Sequence, residues 1–308
     1  MNVTTERDGE LLLSTAAASA ANAPLDPAPL DPAPLDPALL VPTEPGRARR
    51  YGAAIGPPVI ALILFLALWQ AGVAVFNVPP YILPGPLHVA TGAWDARDTL
   101  VAGLVFTMQR ALIGFVLSGV VGIISAVVLA QSRIMYRALY PYAVLLQTIP
   151  IITISPIIII VLGTGDPSIV AIAFIVAVFP VISNATLGLT SVDHNLINLF
   201  QMYNATPWQQ LLRLRLPFAL PYILAGLRIS SGLAVIGAIL GEYFAGTGGT
   251  DGGLGYIIQV SMNRMLIDEL VAVALLSALL GIAVFTGVGI VSYLTLHRWH
   301  ESSVRREN

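Results

Sequence analysis

The 308-residue chain contains no cysteine and no lysine. Without cysteine there is no disulfide, no thiolate ligand for zinc or an iron–sulfur cluster, and no thiol nucleophile. Without lysine there is no P-loop, whose lysine must reach the β- and γ-phosphates of a nucleotide. If ATP drives this protein, another chain hydrolyses it. Charge is scarce too: Asp, Glu, Lys and Arg make up 10% of the residues, against roughly 25% in soluble domains. The net charge of −2 supplies no basic field for nucleic acid. The alternating segments of about ten residues that build a transmembrane β-barrel are also missing.

What is abundant is apolar: 56% of the residues are hydrophobic. Stretches free of charge run over 51–94, 111–132, 138–165, 167–192 and 270–297. Each holds the ~20 apolar residues that a helix needs to cross a bilayer core. A further stretch, 219–244, is interrupted only by Arg228 and Glu242. Helices are the spanning structure left, so the chain is expected to be an all-α integral membrane protein of about six transmembrane helices. The expected spans are 57–76, 104–130, 140–163, 168–190, 219–244 and 269–295.

Arginine placement orients the chain. The N-terminal arginines, Arg133 and Arg137, Arg213 and Arg215, and Arg298, Arg305 and Arg306 fall on one side, with Arg97 and Arg264 opposite. The positive-inside rule puts the first set, and both termini, in the cytoplasm, which requires an even number of spans. Residues 1–50, with three PLDPA pentads from Pro24 to Ala38, read as a disordered proline-rich cytoplasmic tail. The mixed charges of residues 1–10 exclude a secretory signal. Residues 51–300 form the transmembrane domain and 301–308 a cytoplasmic C-terminal tail.

Inside the third and fourth spans stand Pro150, Pro156 and Pro180. Such breaks are tolerated in lipid where neighbouring helices or a cavity satisfy the freed backbone. The stretch TIPIITISP (148–156), with Gln147 before it, is therefore expected to be a broken segment lining a pathway, against a plain kink in a packed helix. Arg228 and Glu242 are the other path or gate candidates. An isolated charge at a helix centre costs ~2.5–3.5 kcal/mol on insertion scales, so Arg228 must snorkel, pair or act. Glu242, near the far end of its span, lines the path, receives a docking protein, or is an interfacial acid beside the glycine-rich turn 246–255. That run follows a membrane helix and not a strand, so it is no phosphate cradle. Arg110 is read as marking the start of the second span, where Gly114, Gly119 and Gly122 suggest close helix packing. The four histidines show no metal-ligand spacing.

The segment 193–217 is too polar to span. Leu196, Leu199, Phe200 and Tyr203 recur at helical spacing, opening near Asp193 or Asn195 as N-cap. Asn204 suits the left-handed end of that helix. Thr206, Pro207 and Gln209 spell a capping box with proline at the first position of a second helix. This second helix is expected to run through Leu214 and stop at Pro217. Two short helices at a fixed angle make a rigid cytoplasmic knob; from geometry alone, a hairpin lying on lipid fits equally.

This segment resembles the cytoplasmic loop of ABC importer permeases, whose pattern is Glu-Ala-Ala, three residues, Gly, nine residues, Ile-x-Leu-Pro. Aligned on Leu216 and Pro217, Leu214 takes the Ile position, Asn204 the Gly position, and Asn198, Leu199 and Phe200 the Glu-Ala-Ala positions. Residues 77–300 more broadly resemble the permeases of nitrate, sulfonate and taurine importers, through VPPYILPGPLHV (78–89), LQTIPIITISPIII (146–159), LPFALPYILAGLRI (216–229) and GLGYII (253–258). The resemblance implies an ABC type I importer permease fold and a multi-pass protein of the bacterial inner membrane. It implies a second permease copy as homodimer partner, two ABC ATPase subunits that carry the ATP and Mg, and an extracytoplasmic substrate-binding protein. Membrane lipid is the remaining partner, and the chain itself holds no cofactor and performs no covalent chemistry. It further implies that Asn198, Leu199, Phe200, Asn204, Thr206, Trp208, Gln209, Arg213, Leu216 and Pro217 form or support the ATPase contact. With Asn198 at the acidic position, a neutral hydrogen bond replaces a salt bridge there. Riboflavin or a pyrimidine precursor of thiamine is the alternative substrate class.

Two other classes compete. An ion-coupled secondary transporter needs intramembrane acids for its coupling ion, and this chain offers Glu242 and Asp166 alone. An intramembrane hydrolase needs a buried nucleophile beside a base, and all four histidines lie outside the expected spans.

Overall fold

The computed structural model describes residues 47–246 and 252–300. The proline-rich tail (1–46), the middle of the glycine run (247–251) and the C-terminal tail (301–308) lie outside the described residues. Residues 62–308 form one unit, which holds the helical bundle, and residues 1–61 another, which carries the opening turns of the first helix.

The described residues form helices joined by turns and loops, without strands. In order they form α1 (Arg47–Val75), α2 (Pro86–Asp95), α3 (Arg97–Gln131), α4 (Arg133–Thr148), α5 (Ile151–Leu162), α6 (Asp166–Thr190), α7 (His194–Met202), α8 (Pro207–Gln210), a π-helical turn (Leu211–Arg215), α9 (Leu216–Ala245), α10 (Leu254–Asn263) and α11 (Ile267–His300). Among the described residues, five segments are long and apolar enough to cross a bilayer: Gly56–Val75, Arg97–Gln131, Asp166–Thr190, Pro207–Ala245 and Ile267–Leu296.

The expected third span, 140–163, consists of two helices, and the break falls inside the stretch 148–156 that was expected to be broken. Its α4 and α5 parts have 16 and 12 residues, each short of the ~20 needed to cross alone. The break falls at Ile149 (ψ 124°) and Pro150 (ψ 122°), both extended. Steric conflict with the proline ring pushes the preceding residue out of the helical region, and Pro150 has no amide to donate. Pro156, by contrast, lies within α5 without ending it.

Helix α6 is the centre of the bundle. Ile169, Ile172, Ala173, Ala177, Val181 and Ala185 are fully buried between α3 and α9. Close approach depends on small residues. A β-carbon on Gly114 would run into Ala173, on Gly122 into Val181, and on Gly241 into the Ile169 backbone. Along α1, Leu62, Ile63, Leu64, Phe65 and Leu68 stand exposed. An apolar face of that kind fits lipid and not water.

An expectation fails at Pro217, where no helix stops. The Leu216 amide donates to the Leu211 carbonyl, five residues back. That wider π turn delivers the chain to Pro217 at the start of α9, where a missing amide is tolerated. Pro207–Ala245 is therefore one continuous helical rod of 39 residues, about 58 Å long at 1.5 Å per residue.

Candidate functional site

The loop 193–217 is built as its sequence reads. The Asp193 carboxylate accepts from the Asn195 amide at 2.8 Å and caps α7. Tyr203 closes that helix, and Asn204 follows at φ 52°, the left-handed conformation that asparagine tolerates better than most residues. At α8 the capping box is complete: the Gln209 amide donates to Thr206 Oγ1 (3.3 Å), and the Thr206 amide to Gln209 Oε1 (2.9 Å). The loop is anchored to the bundle through Leu211, buried with Ala126, Ala185, Leu189, Ala219 and Ile223. Arg215 adds a hydrogen bond to the Ala130 carbonyl at the end of α3 (3.2 Å).

Its outward side is uncovered. Helix α7 buries none of its residues. Met202 is 80% exposed, Tyr203 81% and Trp208 62%. Asn198, Asn204, Thr206, Gln209 and Arg213 are exposed as well, with Phe200, Leu216 and Pro217 half-buried. A cleft of about 420 Å³ opens between the two helices, lined by Leu199, Phe200, Tyr203, Ala205, Gln209 and Arg213. Capped and anchored backbone thus carries exposed aromatic and apolar side chains, a surface of the kind that a partner or lipid covers.

The path candidates do not converge on one place. Gln147 and Pro150 line a cavity of about 290 Å³ at the α4–α5 break, faced by Phe179, Pro180 and Leu233. Pro156 is exposed on α5, away from that cavity. Arg228 is exposed on α9, with its guanidinium 4.5 Å from the Phe285 ring centroid of α11. Glu242 is completely buried near the C-terminal end of α9.

Around Glu242 the structure assembles a cluster of polar groups. Arg110 Nη1 donates to Glu242 Oε1 (3.0 Å), and Thr107 Oγ1 to Glu242 Oε2 (2.7 Å). The same Oε2 accepts from the Gly255 amide (3.0 Å), while Thr107 Oγ1 accepts from the Leu254 amide (2.8 Å). Arg110 also pairs with Asp166 at 2.7 Å. Gly253 is the N-cap of α10 and has no side chain to cap with. Glu242 and Thr107, from two other helices, satisfy the first amides of α10 in its place. A β-carbon on Gly253 would stand inside the Glu242 carboxylate, and one on Gly255 would collide with the Ile239 carbonyl. These glycines are thus packing requirements as well as turn residues.

Arg110, expected at the start of a span, is instead 14 residues into α3 and nearly buried. Thr107, Arg110 and Asp166 were not identified from sequence as partners of Glu242. The usable signal was that Arg110 and Glu242 each interrupt an apolar helix, and opposite charges so placed satisfy one another.

Comparison with known proteins places the chain. Residues 118–306 match the family described as binding-protein-dependent transport system inner membrane component, and the chain belongs to that family. It is similar to the riboflavin transport system permease protein RibX of Chloroflexus aurantiacus, at 35% identity over 81% of this chain and 91% of the relative. The formylaminopyrimidine transport permease protein ThiX of Halalkalibacterium halodurans is 32% identical over 75% and 91%. The nitrate import permease protein NrtB of Synechococcus elongatus is 30% identical over 67% and 76%. Among solved structures, a chain of the inward-facing MetNI methionine ABC transporter aligns at a TM-score of 0.47 and 21% identity, over 61% of this chain and 95% of that one.

Proposed function

We propose that this protein is the membrane-spanning permease subunit of a binding-protein-dependent ABC importer. It pairs with a second copy of itself, the pair receives two ATPase subunits, one on each cytoplasmic loop 193–217, and it meets a substrate-binding protein outside. ATP and Mg belong to the ATPases. Both termini lie in the cytoplasm, with the broken α4–α5 unit supplying the sixth crossing that the parity of the ends requires. The observation that carries the reading is the loop itself: capped, anchored by Leu211 and Arg215, and uncovered on its outer side.

The π turn gives the mechanism its mechanical element. Since α8, the turn and α9 are one rod, a push on Trp208 or Gln209 moves α9 as a body. Its Leu233 closes one wall of the cavity at the α4–α5 break. ATPase closure then alternates which end of the path is open, without covalent chemistry in this chain.

The first substrate reading is a small solute of the nitrate, sulfonate or taurine class, each bearing an oxyanion group, supported by the nitrate relative and by a sulfonate transport permease of Bacillus subtilis at 28% identity. A second reading, riboflavin or a thiamine pyrimidine precursor, is favoured by the higher identities of RibX and ThiX.

The absence of cysteine makes a direct test simple. Asn198→Cys and Tyr203→Cys, introduced singly, are expected to react with an impermeant maleimide from the cytoplasmic side only. The partner ATPase is expected to protect both. Labelling from the outside, or equal labelling with and without a bound ATPase, contradicts the reading.

A further inference from the structure

Arg228 is an exposed cation well inside a membrane helix. It stands about 18 Å along α9 from Leu216 and about 25 Å from Ala245 at 1.5 Å per residue. Its guanidinium lies over Phe285 and against Gly289, where a β-carbon would come within 3.1 Å of Nε. The ring and the bare glycine make a seat for it on α11. One edge of the apolar groove between α9 and α11, about 600 Å³ in volume, ends at Ile229 and Phe285 beside this seat.

Among the described residues Arg228 has no ion pair. The sequence explains why. Of the seventeen Asp and Glu residues, none lies more than one turn inside any candidate span, and Glu242, three residues short of Ala245, is the deepest. That carboxylate is already held by Arg110, Thr107 and Gly255, about 21 Å along the same helix from Arg228. A second copy of the chain brings the same inventory, so it offers no carboxylate at this depth either. A guanidinium at this depth must snorkel or find a partner, and its planar fork suits a bidentate oxyanion. Held over Phe285 and against Gly289, with no carboxylate paired to it among the described residues, it is open to an anion from outside the permease.

We infer that Arg228, seated on Phe285 and Gly289, is an oxyanion-binding site within the membrane domain, for a carboxylate, sulfonate, nitrate or phosphate group. This rests on the permease reading for its purpose: the depth favours a passing solute, and a lipid phosphate carries the same chemistry. It would also select the anionic substrate class over the neutral one.

The test uses the full chain with its ATPase in nanodiscs of phosphatidylcholine. Sodium nitrate and sodium methanesulfonate are titrated against sodium chloride at constant ionic strength, and the thermal midpoint is followed by tryptophan fluorescence. A saturable rise is expected in the wild type and is expected to be lost in Arg228→Gln. Arg228→Lys, which keeps the charge but not the fork, is expected to need roughly tenfold more anion. If Arg228→Gln does not fold, Arg228→Lys and Phe285→Leu carry the comparison. A rise seen only when phosphatidylglycerol is added, and dependent on Arg228, identifies the oxyanion as lipid phosphate. Identical responses in wild type and variants, or none at all, overturn the inference. A complex that keeps its ATPase yet ignores anions overturns this inference alone. A chain that responds to anions but takes no ATPase overturns the permease reading instead.

Discussion

Removing the Glu242 carboxylate would leave Thr107, Arg110 and the Gly255 amide of α10 without their shared acceptor in a buried site. Breaking a buried pair by deleting one partner costs about 3–5 kcal/mol, since the remaining charge stays uncompensated. Asp166 still faces Arg110, so Glu242→Ala is expected to destabilise by about 3 kcal/mol, at the low end of that range, read as a lowered midpoint of thermal unfolding in detergent. An unchanged midpoint contradicts the assigned role. Asn204 offers a milder test at φ 52°. Asn204→Gly is expected to be neutral, whereas Asn204→Val puts a branched side chain in the left-handed region and costs about 1–2 kcal/mol, measurable by the same unfolding assay. The loop chemistry at Asp193, Asn204, Thr206 and Gln209 was legible because caps and left-handed ends are local, fixed by residues a few positions apart. The Arg110–Glu242 pair was not, because its members are 132 positions apart and only packing brings them together.

Among the elements, caps and prolines decide where helices begin and break. Thr206 and Gln209 hold the start of α8 reciprocally, so Thr206→Ala is expected to cost about 1 kcal/mol locally. That corresponds to roughly fivefold faster hydrogen exchange at the Gln209 amide, with core amides of α6 unaffected. Equal slowing or acceleration throughout would mean the cap does not act locally. The long helices were readable from charge-free runs, and their observed bounds fall within a few residues of expectation at Gly56–Val75 and Ile267–Leu296. The break at Pro150 falls in the stretch 148–156 that was expected to be broken, but the outcome at Pro217 was not readable: Pro150 splits a span while Pro217 does not. The difference is the π turn before Pro217, a backbone accommodation with no residue signature of its own. It turns what reads as a helix stop into a continuous helical connection between loop and membrane.

At the scale of the whole molecule, family membership fixes the setting and the structure supplies the parts: a central α6, a rod running from the loop 193–217 to the end of α9, and that end locked to α10 through Glu242. The all-α membrane class was legible from composition, because a chain with 10% charge cannot keep a soluble surface wet. The substrate was not, since in such an importer recognition is shared with a separate binding protein. The central claim is that ATP hydrolysed by a partner drives transport through this chain by way of the loop 193–217. Its most direct test is uptake of nitrate or a small sulfonate into proteoliposomes containing the permease and its ATPase. Uptake is expected to require ATP and the binding protein, and to be lost when the exposed loop residues Asn198, Tyr203 and Trp208 are all changed to Glu. Uptake that proceeds without any ATPase and follows a proton or sodium gradient would contradict that claim.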